Sequence, residues 1–143
     1  MKARKGFTLV ELLIVMAIIA ALMAILIPMA GGAMKKARAT KIAVTMRNIE
    51  QAAEQWLMAE LPDDVTTINI NTLVSKKYLN SGDYTDYSLS VSESNSNIRI
   101  QVKYSTADPD LADMIVGSLK ETYPDADYSS NKVTIVATVS KFW

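Results

Sequence analysis

From Leu12 to Ile27 the chain reads LLIVMAIIAALMAILI, an apolar run without a polar interruption. Such a segment cannot remain in water, so it must lie in a membrane or among other chains. Stretched to Phe7–Ala30, with Thr8, Glu11 and Pro28 included, it is long enough to cross a bilayer core, which takes about 20 helical residues. Lys2, Arg4 and Lys5 precede it, and Lys35, Lys36, Arg38 and Lys41 follow it. With cations on both sides, a positive-inside count does not orient the segment.

The helical pattern continues past Gly31 and Gly32. Ile42, Met46, Ile49, Ala53 and Trp56 recur at helical spacing and form one apolar stripe. Lys41, Arg47, Glu50 and Glu54 fall largely off that stripe. Pro62 disfavours helix at the residue before it, so the helix is expected to end near Leu61. A helix from Phe7 to Glu60 would be roughly 80 Å long. Its first half is lipid-like and its second half amphipathic.

Beyond Pro62 the texture becomes polar and turn-rich. Asn71–Leu79 suggests a short helix or turn packed by Leu73, Val74 and Leu79. Tyr87, Leu89 and Val91 alternate, as do Ile98, Ile100, Val102 and Tyr104, which predicts a hairpin with Ser92–Asn97 as a long turn. Asp108-Pro109 starts a helix, with aspartate as cap and proline at its first position. Leu111, Ile115 and Leu119 face inward with Met114 beside them, until Tyr123-Pro124 ends the helix. Val133, Ile135, Ala137 and Val139 make a third strand, and Asp125–Asn131 reads as a mobile loop. The expected fold is therefore α+β: a long N-terminal helix packed on a small antiparallel head of about three strands with an additional helix.

Composition narrows the chemistry. The chain has no cysteine and no histidine, which removes disulfides, thiol nucleophiles and the two commonest zinc ligands. The usual general base is missing, and there is no phosphate-binding glycine loop or nucleophile elbow, so no catalytic residue is assigned and a non-enzymatic role is expected. The formal net charge is zero, so no overall attraction to nucleic acid or acidic lipid follows.

Gly6-Phe7-Thr8-Leu9-Val10-Glu11 reads GFTLVE, behind a short basic leader and directly before the apolar run. This resembles the class III signal of type IV prepilins and type II secretion pseudopilins. The resemblance is close over about the first 30 residues and loose over the rest. It implies a leader of residues 1–6, cleavage between Gly6 and Phe7 by a membrane aspartyl prepilin peptidase, and methylation of the new N-terminus. It further implies a hydrophobic transmembrane and assembly helix over residues 7–34 and a globular head over 35–143. Glycine at the cut leaves the backbone free to enter a protease site. A lone acid in a spanning segment costs about 3 kcal/mol on insertion scales and marks function. Glu11 is thus expected to pair with the amino group of Phe7 in a neighbouring copy and fix the register of helices. The bland alternative is a favourable charge at a helix N-terminus.

Pro28, Gly31 and Gly32 form a candidate helix break, because proline costs about 3 kcal/mol and glycine about 1 kcal/mol in a helix interior. Read without function, they are a kink at a membrane boundary. Asp108, Asp110 and Asp113, or Asp125 and Asp127, are candidate calcium ligands, but Asp108-Pro109-Asp110 is more simply a helix start, so no metal site or cofactor is assigned. The expected partners are copies of the chain, prepilin peptidase, the assembly machinery of the inner membrane, and lipid before assembly, with nucleic acid left open. The expected location is the inner membrane for the precursor, then an extracellular pilus, or a periplasmic pseudopilus if the chain is a pseudopilin. A membrane-anchored binding module that never polymerises is the rival of a different class.

Overall fold

The computed structural model describes residues 6–143. Residues 1–5, with Lys2, Arg4 and Lys5 of the expected leader, lie outside the described residues. Backbone contacts divide the chain into two compact units, Met1–Lys35 and Lys36–Trp143. One helix, α1 (Leu9–Glu60), contributes to both. It ends where Pro62 requires, with the Leu61 amide still donating to the Leu57 carbonyl.

In the first unit α1 buries nothing. Leu12, Leu13, Ile14, Val15, Ile18, Leu22 and Leu26 are all more than half exposed, and Phe7 is 93% exposed. The helix runs without interruption through Pro28, Gly31 and Gly32. A Cβ placed on either glycine would meet no atom within 4 Å. Within the chain itself, nothing packs closely enough there to demand a missing side chain.

The second unit is the head. After α1 come a single 3₁₀ turn (Val65–Thr67), α2 (Ile70–Ser75), β1 (Tyr87–Ser94), β2 (Asn97–Ser105), α3 (Pro109–Leu119), β3 (Asp127–Ser129) and β4 (Lys132–Ser140). The four strands form one antiparallel sheet in the order β1-β2-β4-β3. Ile42, Met46, Ile49, Ala53 and Trp56 are buried, as their spacing predicts. They share the core with Ile98, Ile100, Val102 and Tyr104 of β2, Val133 and Ile135 of β4, and Leu111, Ile115 and Leu119 of α3. Alternation along β2 is strict, so its other face carries Arg99, Gln101 and Lys103 outward.

Several local features depart from the sequence reading. The β1–β2 turn is tight: only Asn95 and Ser96 separate the strands, with φ of 49° and 65°. Ser130 and Asn131, with φ of 51° and 60°, likewise join β3 to β4. Two positive φ values in a two-residue loop match the twist of an antiparallel pair. The segment expected as a mobile loop, Asp125–Asn131, thus holds a short fourth strand. Asp108 caps α3 as predicted, accepting from the Leu111 amide at 3.2 Å. That helix stops at Leu119 rather than at Tyr123; the Thr122 and Tyr123 amides both converge on the Leu119 carbonyl, at 3.0 and 2.8 Å, and Tyr123 is buried. Met114 lies on the flank of α3 and is 38% exposed. α2 begins at the Asn69 cap, whose side chain accepts from the Thr72 amide, and buries Leu73.

Glu50 is the main correction. Expected off the apolar stripe, it is 5% exposed. The sheet covers one side of α1 and α3 with its following loop covers the other, so the buried arc spans about half the helix circumference. Ala39, Ala43, Glu50 and Leu57 fall on the added side, and all are buried. The Tyr123 hydroxyl donates to the Glu50 carboxylate at 2.8 Å, which supplies a partner that a buried carboxylate needs.

Candidate functional site

α1 starts with a reciprocal cap. Thr8 precedes the first helical residue, and its hydroxyl accepts from the Glu11 amide at 3.2 Å. The Glu11 carboxylate reaches back and accepts from the Thr8 amide at 2.8 Å. The Leu12 amide closes the first turn on the Thr8 carbonyl at 3.2 Å. This is the capping box, Thr-x-x-Glu, which satisfies two donors that a helix start otherwise leaves open. The pattern Thr8-Leu9-Val10-Glu11 before an apolar run was present in the sequence, yet it assigns Thr8 a role that the sequence reading missed.

The geometry therefore gives Glu11 an intrachain partner, the amide of Thr8. Glu11, Thr8 and Phe7 are all exposed, as is Gly6 just before them. Gly6 and Phe7 precede α1 and carry no helical hydrogen bonds of their own. A backbone of that kind is open to a peptidase without prior unfolding. Immediately behind lies the one helix, among the described residues, that is long and apolar enough to cross a membrane.

Residues 1–27 match the family model for the prokaryotic N-terminal methylation motif. The chain carries a class III signal. This is the signal of type IV pilins and pseudopilins, and it places Gly6, Phe7 and Glu11 inside the matched span. No curated protein and no solved structure was found to match the chain significantly. The class III signal supports a type IV pilin-like or pseudopilin-like protein, and a structural subunit rather than an enzyme. With the apolar helix behind it, it also fits membrane anchoring of the precursor.

Pro28, Gly31 and Gly32 lie at the far end of the same unit, inside continuous helix. Pro28 has no N–H, so the Ala24 carbonyl loses its helical donor there. The head holds the polar clusters. Asp108 serves α3 as its cap. No group of three or more potential metal-ligating side chains occurs among the described residues. Arg47 donates to the Ser118 carbonyl and so ties α1 to α3 beside the Glu50–Tyr123 pair. Burial holds the Glu50 carboxyl above the usual glutamate range, opposed by the Tyr123 hydrogen bond and assisted by nearby Glu54. The Tyr123 hydroxyl is pushed far up by burial and then by Glu50.

Proposed function

We propose that the chain is a structural subunit of a type IV pilus filament. The observation that carries this reading is the apolar half of α1, wholly uncovered, lying directly behind a methylation motif. Prepilin peptidase removes residues 1–6 by cutting between Gly6 and Phe7, and the new amino group is methylated. The precursor waits in the inner membrane with residues 7–34 in lipid and 35–143 outside it. The assembly machinery then moves that helix from lipid into a bundle of its own copies, so one apolar environment replaces another. Stacking identical subunits in this way is an open, heterologous assembly.

Glu11 sets the register. In the isolated chain its carboxylate is held by the Thr8 amide. In the filament the methylated amine of Phe7 from a neighbouring copy joins it, and two charges are neutralised in an apolar core. A mispositioned copy leaves the acid unpaired, which is costly enough to select the register. Near Pro28, Gly31 and Gly32 the helix melts in the filament, where neighbours satisfy the freed carbonyls. In lipid no water replaces broken hydrogen bonds, so the monomer keeps its helix.

Mass spectrometry of the exported protein tests processing. The expected mature chain begins at Phe7 and carries one methyl group. A mature N-terminus beyond Ile27 would mean an ordinary signal peptide and would overturn the proposal. Gly6→Leu is expected to leave full-length precursor in the membrane. Glu11→Val is expected to be cleaved and inserted normally, since losing a charge eases insertion. Its filament yield is expected to fall at least about tenfold, matching a loss of roughly 1.4 kcal/mol or more per subunit contact.

A further inference from the structure

A recess of about 450 Å³ lies wholly within the head, in the size range of small-molecule sites. α1 supplies Arg38 and Lys41 to it, and the loop between α2 and β1 supplies Asp83, Tyr84 and Asp86. Half-buried Tyr87 and buried Tyr104 line it more deeply. These two are register partners where β1 begins and β2 nears its end. Their ring centroids are 4.9 Å apart, and Tyr84 meets Tyr87 edge-on at 6.1 Å.

The recess carries two cations and two acids, and none of the four is in an ion pair among the described residues. The pairs found in the head are Lys76–Glu60 and Lys141–Glu93. Asp83 is fixed by the Thr85 hydroxyl and amide, which both donate to its Oδ1 and hold its carboxyl below the usual aspartate range. Its Oδ2 stays open. Asp86 is exposed, and it is its backbone carbonyl that is engaged, accepting from the Ser105 amide at 2.9 Å. Opposite charges that line one space without meeting leave room for a ligand between them. An ion of one sign would meet two like charges as well as two opposite ones. A ligand bearing both signs satisfies all four.

Position along the chain narrows that ligand. The apolar stretch runs on to Met34. At 1.5 Å per residue, Arg38 follows Met34 by about 6 Å and Lys41 by about 10 Å along α1. The headgroup layer is about 5–8 Å deep on each side of the hydrocarbon, and long cationic side chains reach back toward it. Tyrosine is enriched at the same depth, with its apolar body and wet hydroxyl.

We infer that this recess takes the headgroup of a zwitterionic membrane phospholipid, of the phosphoethanolamine class. Arg38 and Lys41 take the phosphate, Arg38 through two parallel N–H donors. Asp83 and Asp86 accept from the primary ammonium, which carries three N–H donors, and the Tyr84 and Tyr87 rings flank that cation. A trimethylated ammonium has no N–H to donate. An anionic glycerol headgroup has no cation for Asp83 and Asp86. The inference rests on the membrane anchoring of the precursor and is independent of polymerisation.

The full-length chain in phosphatidylcholine nanodiscs, with phosphatidylethanolamine or phosphatidylglycerol added, tests it by amide hydrogen exchange. Phosphatidylethanolamine is expected to slow exchange over residues 82–87 at least about threefold, as binding to the folded state does, with Ile49 and Ile100 unchanged. Phosphatidylglycerol is expected to give less than half that slowing. Arg38→Gln with Lys41→Gln, and separately Asp86→Asn, are expected to abolish the slowing while the head's thermal melt stays unchanged. Arg99→Gln with Lys103→Gln, on the sheet's outer face, is expected to retain it. In nonionic detergent, soluble glycerophosphoethanolamine is expected to shift the NMR signals of Tyr84 and Tyr87 saturably, and inorganic phosphate or ethanolamine alone to shift them less. That arm reads the recess without a bilayer. No slowing in a chain that enters the nanodiscs, slowing by phosphatidylglycerol that equals or exceeds it, or undiminished slowing in either recess variant would each overturn the proposal. A chain that stays out of the nanodiscs yet responds to glycerophosphoethanolamine would contradict the anchoring and overturn the lipid assignment in favour of a free zwitterion.

Discussion

The two units of the chain solve the burial problem in opposite ways. In Lys36–Trp143 every element turns its apolar side to a shared core, and Met46, Ile49, Ile98, Ile100, Ile115 and Ile135 lose all contact with solvent. In Met1–Lys35 the same residue types, Leu, Ile, Val and Met, stay open on every side of α1. Neither sequence is more hydrophobic by accident. The head's α1 segment interrupts its apolar residues with Lys41, Arg47 and Glu54, so only one arc seeks cover. The first segment has no such interruption between Leu12 and Ile27, so no single neighbour within the chain could cover it. The head buries its own apolar residues, whereas the first unit leaves an apolar surface that calls for cover from outside the chain.

The sharpest way to break that contrast is to separate the units. A chain beginning at Lys36 is expected to be a soluble monomer with cooperative thermal unfolding, whereas residues 7–35 alone are expected to aggregate in water. Aggregation of the Lys36 fragment, or a random-coil circular dichroism spectrum, would contradict the seam between α1 and the sheet. Within that fragment, Ile100→Ala removes a fully buried side chain and is expected to cost about 2–5 kcal/mol. Ile18→Ala lies outside the head's buried core, so the head's melting is expected to stay unchanged.

Next in size are the effects at Glu50. Tyr123→Phe strips the buried carboxylate of its donor and is expected to destabilise the head by about 1–3 kcal/mol. The folded-state pKa of Glu50 is raised. Its contribution is therefore fully present below the ordinary glutamate range and is lost as pH rises through the raised value. The head's melting temperature is expected to fall across that window, and Glu50→Gln to remove the fall. Asp64 and Asp83 act with opposite sign at lower pH. Their carboxyls are held below the usual range by the Thr66 and Thr85 hydroxyls, so their contribution is present above the ordinary aspartate range and is lost as pH falls. A melting temperature that rises as pH climbs above the ordinary glutamate range, or a Glu50→Gln variant with the parent's profile, would contradict this reading of Glu50.

The smallest effect is expected at the helix start. Thr8→Val removes the hydroxyl of the capping box and is expected to cost about 1 kcal/mol locally. Faster amide hydrogen exchange at Glu11 and Leu12, with no change at Ile49, is the expected signature. Unchanged exchange at Glu11 would mean that the cap adds nothing in the membrane-bound chain.

How much of this was legible before the structure depended on the kind of signal. Long periodicities were clear: the stripe from Ile42 to Trp56 and the alternation from Ile98 to Tyr104 each report one buried face. Asp108-Pro109 marked the start of α3 because cap and ring chemistry act locally. The β3–β4 hairpin was hidden, since three residues are too few to show alternation and Ser130-Asn131 lacks the glycine that usually announces a positive φ. Glu50 was hidden for another reason: its burial depends on α3 and Tyr123, far along the chain, which widen the covered arc of α1. At the candidate site, Gly6, Phe7 and Glu11 stood out as a spacing. The Thr8 partnership was also present there, as the Thr-x-x-Glu spacing from Thr8 to Glu11.

The central claim is that the uncovered half of α1 is completed by its own copies. A cryo-electron microscopy map of filaments sheared from cells expressing this chain tests it most directly. The expected map shows a core of packed helices from Phe7 to Ile27, heads outside, density for the Phe7 amine beside Glu11 of a neighbouring copy, and loss of helix near Pro28 to Gly32. A filament whose core lacks these helices, or a chain that stays in the membrane as a monomer while filaments form without it, would contradict it.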